Sequence, residues 1–303
     1  MYDFIGDIHG HADELVSLLE KMDYTLKNGA YSHPERTAVF VGDYIDRGAK
    51  IEATLNIVRR MVDSDNAIAL MGNHEYNALC FHFPEREGGH IRKHSIKNIL
   101  QHFQTLAQFQ NRQKDYEEWI DWCKSLPLFY ETDQFRAVHA CWDDANITYL
   151  RHKLKNDRLS DDLIYESAKK GTRLNLVIDQ TLKGKEITMP NGGCFTDKDG
   201  TIRNEIRIKW WENPAYATYK QISVIPIDDL PETPITHGKT DLTMYYREDE
   251  KPVFFGHYWL TGQPTLYREN VCCLDYSVAK GGYLVAYRWD GESKLSGEQL
   301  IWV

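Results

Sequence analysis

Residues 38–48 read Ala-Val-Phe-Val-Gly-Asp-Tyr-Ile-Asp-Arg-Gly, an apolar run that enters Gly42 and then a loop carrying Asp43, Asp46 and Arg47. A short apolar run bounded by glycine predicts a buried strand, with the polar cluster placed where that strand ends. The same order appears upstream, where Tyr2 to Ile5 stops at Gly6 and Asp7 and His9 follow. It appears again downstream, where Ala67 to Leu70 leads to Gly72, Asn73, His74 and Glu75. Between these runs Leu15, Leu18, Leu19 and Met22, and then Ile51, Leu55, Val58 and Val62, recur at helical spacing. Strands alternating with helices predict parallel pairing, and in such sheets the loops at the carboxyl ends of the strands form the binding crevice.

Further along, residues 91–126 read as helical, with Ile96, Leu100, Phe103, Leu106, Trp119, Trp122 and Leu126 marking an outer helical layer that ends at Pro127. A fourth strand at about 135–138 delivers His139. Residues 144–250 lack clean alternation and read as an insertion or cap within one catalytic domain spanning 1–303. From Pro252 the apolar runs 253–255, 271–274, 283–289 and 299–303 predict a mainly antiparallel second sheet packed on the first.

A chain of 303 residues, 42% hydrophobic and 27% charged, has the composition of a globular protein and too much apolar content for a disordered one. Its six cysteines form no CxxC pair, so reduced thiols are expected. With no export signal at the start and no apolar stretch of membrane-spanning length, a cytoplasmic location and no membrane partner are expected. The net charge of −9 argues against non-specific nucleic-acid binding. It leaves room for a phosphorylated substrate held in a locally positive pocket.

Asp7, His9, Asp43, Asn73, His139 and His257 each follow a predicted strand. Carboxylate, imidazole and amide oxygen together suit divalent ions of intermediate hardness, and the lack of cysteine ligands favours an open catalytic site over a structural zinc. Taken singly, each could cap a helix or satisfy a loop, Asp46 and Arg47 could form a surface pair, and His74 and Glu75 could open a helix. Loop punctuation does not account for their joint appearance in GDIHG (6–10), GDYIDRG (42–48), GNHE (72–75), VHA (138–140) and FGHY (255–258).

As a set these strings resemble the calcineurin-like metallophosphoesterases, and within them the branch of phosphoprotein phosphatases, bacterial and phage serine/threonine phosphatases and diadenosine tetraphosphatases. The resemblance implies a four-layer α/β-β/α sandwich with two mixed sheets and a helical or irregular insertion. It implies two divalent metal ions, manganese in assay with iron, nickel or zinc also permitted. Asp7 and His9 would hold the first, Asp43 would bridge, and Asn73, His139 and His257 would complete the second. A carboxylate can bridge ions roughly 3.5–4 Å apart, a spacing suited to in-line attack on phosphorus by a bridging hydroxide. By the same resemblance His74 is the proton donor, Asp46 holds its ring, and Arg47 grips the phosphate. His237 competes with His257, which is preferred because it follows the run 253–255 and a glycine. The remaining histidines, His102 among them, are expected to be surface or helix residues.

Two departures stand out. Ala140, Cys141 and Trp142 replace the paired glycines common after the fourth-strand histidine, and Asp46 stands where diadenosine tetraphosphatases typically carry asparagine. Asp46 leans toward a phosphomonoesterase of protein-phosphatase type acting on a phosphoprotein or phosphopeptide. Hydrolysis of a nucleotide or diadenosine polyphosphate, or of a polynucleotide phosphate, is the alternative, and a metal-stabilised binding scaffold is a third. The pairs Cys141-Trp142, Trp210-Trp211 and Tyr258-Trp259 are expected in the core, with base stacking near the metals as the other option.

Overall fold

Four of the predicted strands place apolar side chains on both faces, so each needs cover above and below. A computed structural model describes residues 1–85, 88–196, 202–227, 230–235 and 245–303, and it provides that cover with two stacked sheets flanked by helices. In the first sheet Tyr2–Ile5 runs parallel to Thr37–Phe40, which runs parallel to Ala67–Ala69. In the second, Val253–Phe255 lies parallel to both Arg136–Val138 and Val271–Cys273, and Phe129–Glu131 closes one edge antiparallel.

Alternation along the strands sorts the core into layers. Phe4, Val39, Phe254, Cys272, Val285 and Tyr287 fill the space between the sheets. Phe4 and Phe254 stack there with ring centroids 3.6 Å apart. On the outer side Ile5 and Phe40 meet Leu15, Leu18, Leu55 and Val58 from the helices Ala12–Lys21 and Ile51–Asp63. Val253 and Phe255 belong to the same outer cluster as Ile147, Leu150 and Val177 of the helices Asp144–Lys153 and Arg173–Lys183. A small separate core gathers Ile187, Ile206, Ile208, Tyr219 and Ile222 around short strand pairs.

The last strands differ from expectation. Tyr283–Trp289 joins the first sheet, antiparallel to Tyr2–Ile5, and Leu300–Trp302 pairs with it, while Val253–Phe255 and Val271–Cys273 are parallel neighbours. The connection 256–270 is too long for a tight hairpin and long enough for a crossover. Tyr283–Trp289 buries Leu284 and Ala286 on one side and Val285 and Tyr287 on the other, which suits an interior position in the larger sheet.

The helix Ile96–Gln108 also turns otherwise than its periodicity predicts. Ile96 (79% exposed), Leu100 (67%) and Phe103 (53%) face outward, while His102 and Thr105 are buried. Polar bonds to the site, described below, outweigh burial of the apolar stripe. Among the described residues no helix is long and apolar enough to cross a membrane.

Candidate active site

The parallel strands of both sheets end at one edge, and each releases a polar residue there. Asp7 follows Tyr2–Ile5, Asp43 follows Thr37–Phe40, and Asn73 follows Ala67–Ala69. From the second sheet His139 follows Arg136–Val138, and His257 follows Val253–Phe255. All five are buried, as is His9. His9, Asp43, Asp46, Arg47 and His257 have φ between +48° and +74°, a backbone region that costs an L-residue roughly 1–2 kcal/mol. Such strain persists where neighbouring bonds fix the loops.

Glu75 supplies many of those bonds. Its carboxylate accepts the backbone N–H groups of Asp43, Tyr44 and Gly72 at 2.9 Å and that of Ile45 at 3.3 Å, so one side chain ties the GNHE turn to the GDYID loop. Gly72 and Gly256 are required by close approach, since a Cβ at either would overlap Asp43 Oδ1 or Asp7 Oδ1, respectively. Asp7 in turn accepts the His257 N–H at 3.0 Å. Asp275 accepts from Trp259 N at 2.7 Å and Ser277 N at 3.0 Å, which holds the turn after His257.

Asp43 stands between two histidines, with Oδ2 3.6 Å from His9 Nε2 and Oδ1 3.5 Å from His139 Nε2. His9 Nδ1 donates to the Ile45 carbonyl and His139 Nδ1 to the Val41 carbonyl, both at 2.9 Å. Each neutral ring therefore presents a lone pair at Nε2. Burial keeps these rings neutral, lowering His139 to about 4 and His9 and His257 well below the usual range. With its lone pair outward, His139 Nε2 faces Asn73 Oδ1 at 3.1 Å, two acceptors that a cation between them would reconcile. Asp7 Oδ1, His9 Nε2 and both ring nitrogens of His257 are buried without a hydrogen-bond partner.

The carboxylates make the same demand from the other side. Burial raises the pKa of Asp7, Asp43 and Asp275 and, together with Asp43, lifts Glu75 to about 7. Buried anions grouped with neutral imidazoles fit divalent ions well. Among the described residues two groups of donors lie close enough to hold one, His9–Asp43–His74 and Asp43–His139–His257, and Asp43 belongs to both.

His74 is unlike the other rings. Burial would lower its pKa, but Asp43 and Asp46 overcome that and raise it to about 9. A protonated ring has no lone pair to offer a metal and does have a proton to give. Its Nδ1 bonds Asp46 Oδ2. Burial opposes ionisation of Asp46, yet His74 and His102 hold its carboxyl far below the usual range. Arg47 is exposed at the rim, its Cζ 5.1 Å from the centre of the Trp259 ring. That ring also lies 5.5 Å from His9 and 4.4 Å from Lys280 Nζ.

A family profile for calcineurin-like phosphoesterase matches residues 2–182. The chain belongs to the calcineurin-like phosphoesterases. It is accordingly a hydrolase of phosphoric esters in a metal-dependent family. A bis(5'-nucleosyl)-tetraphosphatase, symmetrical, of Marinomonas sp. is 30% identical over 301 residues, covering 96% of this chain and 94% of the relative. The asymmetrical bis(5'-nucleosyl)-tetraphosphatase PrpE of Halalkalibacterium halodurans is 29% identical over 175 residues, covering 56% and 69%. The solved structure of a cold-active protein-tyrosine phosphatase of Shewanella sp. overlays with a TM-score of 0.47 at 16% identity, covering 95% of this chain and 75% of that one.

Within this calcineurin-like edge the structure gathers Asp7, His9, Asp43, Asn73, His74, His139, His257 and Asp46, with Arg47 above them. His237 lies outside the described residues. Sequence reasoning missed the bracing by Glu75 and Asp275, the contacts of His102 and Thr105, and the rim position of Trp259. Trp142, Trp210 and Trp211 are core residues as expected, whereas Trp259 is only half-buried. A glutamate three residues after the glycine that starts a helix was the available signal for Glu75.

Proposed function

We propose that this phosphoesterase cleaves the phosphoanhydride chain of a bis(5'-nucleosyl) tetraphosphate, symmetrically, into two nucleoside diphosphates. The observation that carries this reading is the 30% identity to a symmetrical tetraphosphatase across nearly the whole of both chains. The site supports it, since Arg47 and Lys280 both lie against the Trp259 indole at the rim, and two cations there suit a polyanionic chain better than one phosphate. Asp46, which favoured a phosphomonoesterase in the sequence, fits either substrate once its task is to hold His74.

In this reading Asp7, His9, Asp43, Asn73, His139 and His257 would hold the divalent metal, which would supply Lewis acidity toward phosphoryl oxygen and toward water. Arg47 orients the phosphate chain, and His74, through Nε2, delivers its proton to the departing phosphate oxygen while Asp46 keeps the ring aligned. The test compares kcat/KM for diadenosine tetraphosphate, p-nitrophenyl phosphate, a phosphopeptide and a cyclic nucleotide with manganese. Preference for the dinucleotide with ADP as sole nucleotide product is expected. Preference for the phosphopeptide would restore the protein-phosphatase reading, and ATP with AMP would make the cut asymmetrical.

A further inference from the structure

The helix Ile96–Gln108 exposes its apolar stripe and buries a histidine and a threonine, and both side chains touch Asp46. His102 Nδ1 lies 2.7 Å from Asp46 Oδ1, and Thr105 Oγ1 donates to the same oxygen at 2.6 Å. Thr105 Oγ1 also accepts the Asp46 N–H at 3.0 Å. Asp46 Oδ2 is left to His74. Behind His102, its Nε2 meets the Tyr116 hydroxyl at 2.6 Å, and that hydroxyl meets His82 Nε2 at 2.6 Å.

The Asp46 carboxylate can only accept, so His102 donates to it from Nδ1. An aspartate at φ +67° with one oxygen fixed by two donors has little freedom to swing the other away from His74.

We propose that His102, with Thr105, is a positioning residue for the reaction: it fixes the Asp46 carboxylate that aligns His74 as proton donor, and Tyr116 holds the far edge of the His102 ring. The inference rests on His74 being that donor and is independent of which phosphorylated substrate is natural. It requires a loss that grows as the leaving group becomes poorer, because a poor leaving group depends more on protonation.

The experiment uses the full manganese-loaded chain and kcat/KM for phenyl phosphate and p-nitrophenyl phosphate, which differ in leaving group alone. His102→Ala is expected to lower phenyl phosphate turnover at least about tenfold more than p-nitrophenyl phosphate turnover, within the range of roughly 10–100-fold seen when a supporting partner is removed. His102→Asn, whose amide keeps an N–H toward Asp46, is expected to recover most of that difference. Equal losses on both substrates, or none, overturn the proposal. Should His102→Ala fail to fold, Thr105→Val carries the same comparison. His74→Asn without leaving-group selectivity would remove the donor itself and the proposal with it, whereas selectivity in His74→Asn but not in His102→Ala overturns the role of His102 alone. Neither result bears on the dinucleotide preference, which the wild-type panel decides.

Discussion

Glu75→Gln tests how much of the site depends on one buried carboxylate. In the wild type Oε2 accepts from Asp43 N and Gly72 N, and Oε1 from Tyr44 N and Ile45 N. Glutamine keeps one oxygen and turns an NH2 group toward the other pair, leaving two buried N–H groups without an acceptor. At about 1–3 kcal/mol for each such donor, the expected loss is roughly 2–4 kcal/mol after partial relaxation. Because Asp43 and the GNHE turn hang on those bonds, manganese affinity should weaken about tenfold or more. Urea denaturation and manganese titration at pH 8 measure both effects. At pH 5 the difference should be larger, since burial and Asp43 lift Glu75 to about 7, so that wild-type stability falls as pH rises from about 4.5 to about 7 while that of the glutamine variant does not. A variant within about 0.5 kcal/mol of wild type at pH 8, with unchanged manganese affinity, would refute the bracing role.

Four other outcomes follow from the same geometry. Glu75 is raised from its ordinary 4.5 to about 7, so its contribution to the stability of metal-free protein is full below about pH 4.5 and lost as pH rises through about 7; thermal scans with chelator should show this fall, and manganese should reverse it with proton release detectable in buffers of differing ionisation enthalpy. Gly256→Ala should displace Asp7 and abolish high-affinity manganese binding while the chain stays folded, as read by calorimetric titration and circular dichroism. Arg36→Met removes the guanidinium whose Nε meets the buried Asp3 at 2.9 Å, leaving Tyr24 at 3.0 Å and Arg288 Nε at 3.6 Å, and should cost about 3 kcal/mol in urea denaturation, the low end for breaking a buried pair, with activity per folded molecule retained. Lys280→Ala should raise KM for diadenosine tetraphosphate several-fold more than for p-nitrophenyl phosphate, and equal effects in a steady-state comparison would remove Lys280 from the rim.

The placement of half of the candidate site on strand ends was legible because strand, glycine and polar residue are contiguous: Tyr2 to Asp7, Ala38 to Asp43 and Val253 to His257 each write a buried element and its polar tip in one short string. What braces these residues was not, since it depends on tertiary approach. His102 and Asp46 are 56 positions apart, and nothing in the string between them tells which side of Ile96–Gln108 turns inward. Periodicity pointed to the wrong side there because hydrogen bonds to a buried aspartate outweighed an apolar stripe. The pairing of the final strands was hidden for a related reason. A strand apolar on both faces fits either sheet, and only the length of the connection 256–270 distinguishes a hairpin from a crossover.

The two sheets each bear part of the candidate site, Asp7, Asp43 and Asn73 on one side and His139 and His257 on the other, and the stacked rings of Phe4 and Phe254 lie between the sheets. Aromatic contact in the middle of the sandwich thus acts as a spacer that gauges a gap at its rim. Thinning the spacer, as in Phe254→Leu, is expected to loosen the approach of His139 to Asp43 and weaken manganese binding in calorimetric titration while circular dichroism stays unchanged. Bound ions would in turn rivet the layers together, so that occupancy and the mechanical stiffness of the whole sandwich would rise and fall as one property.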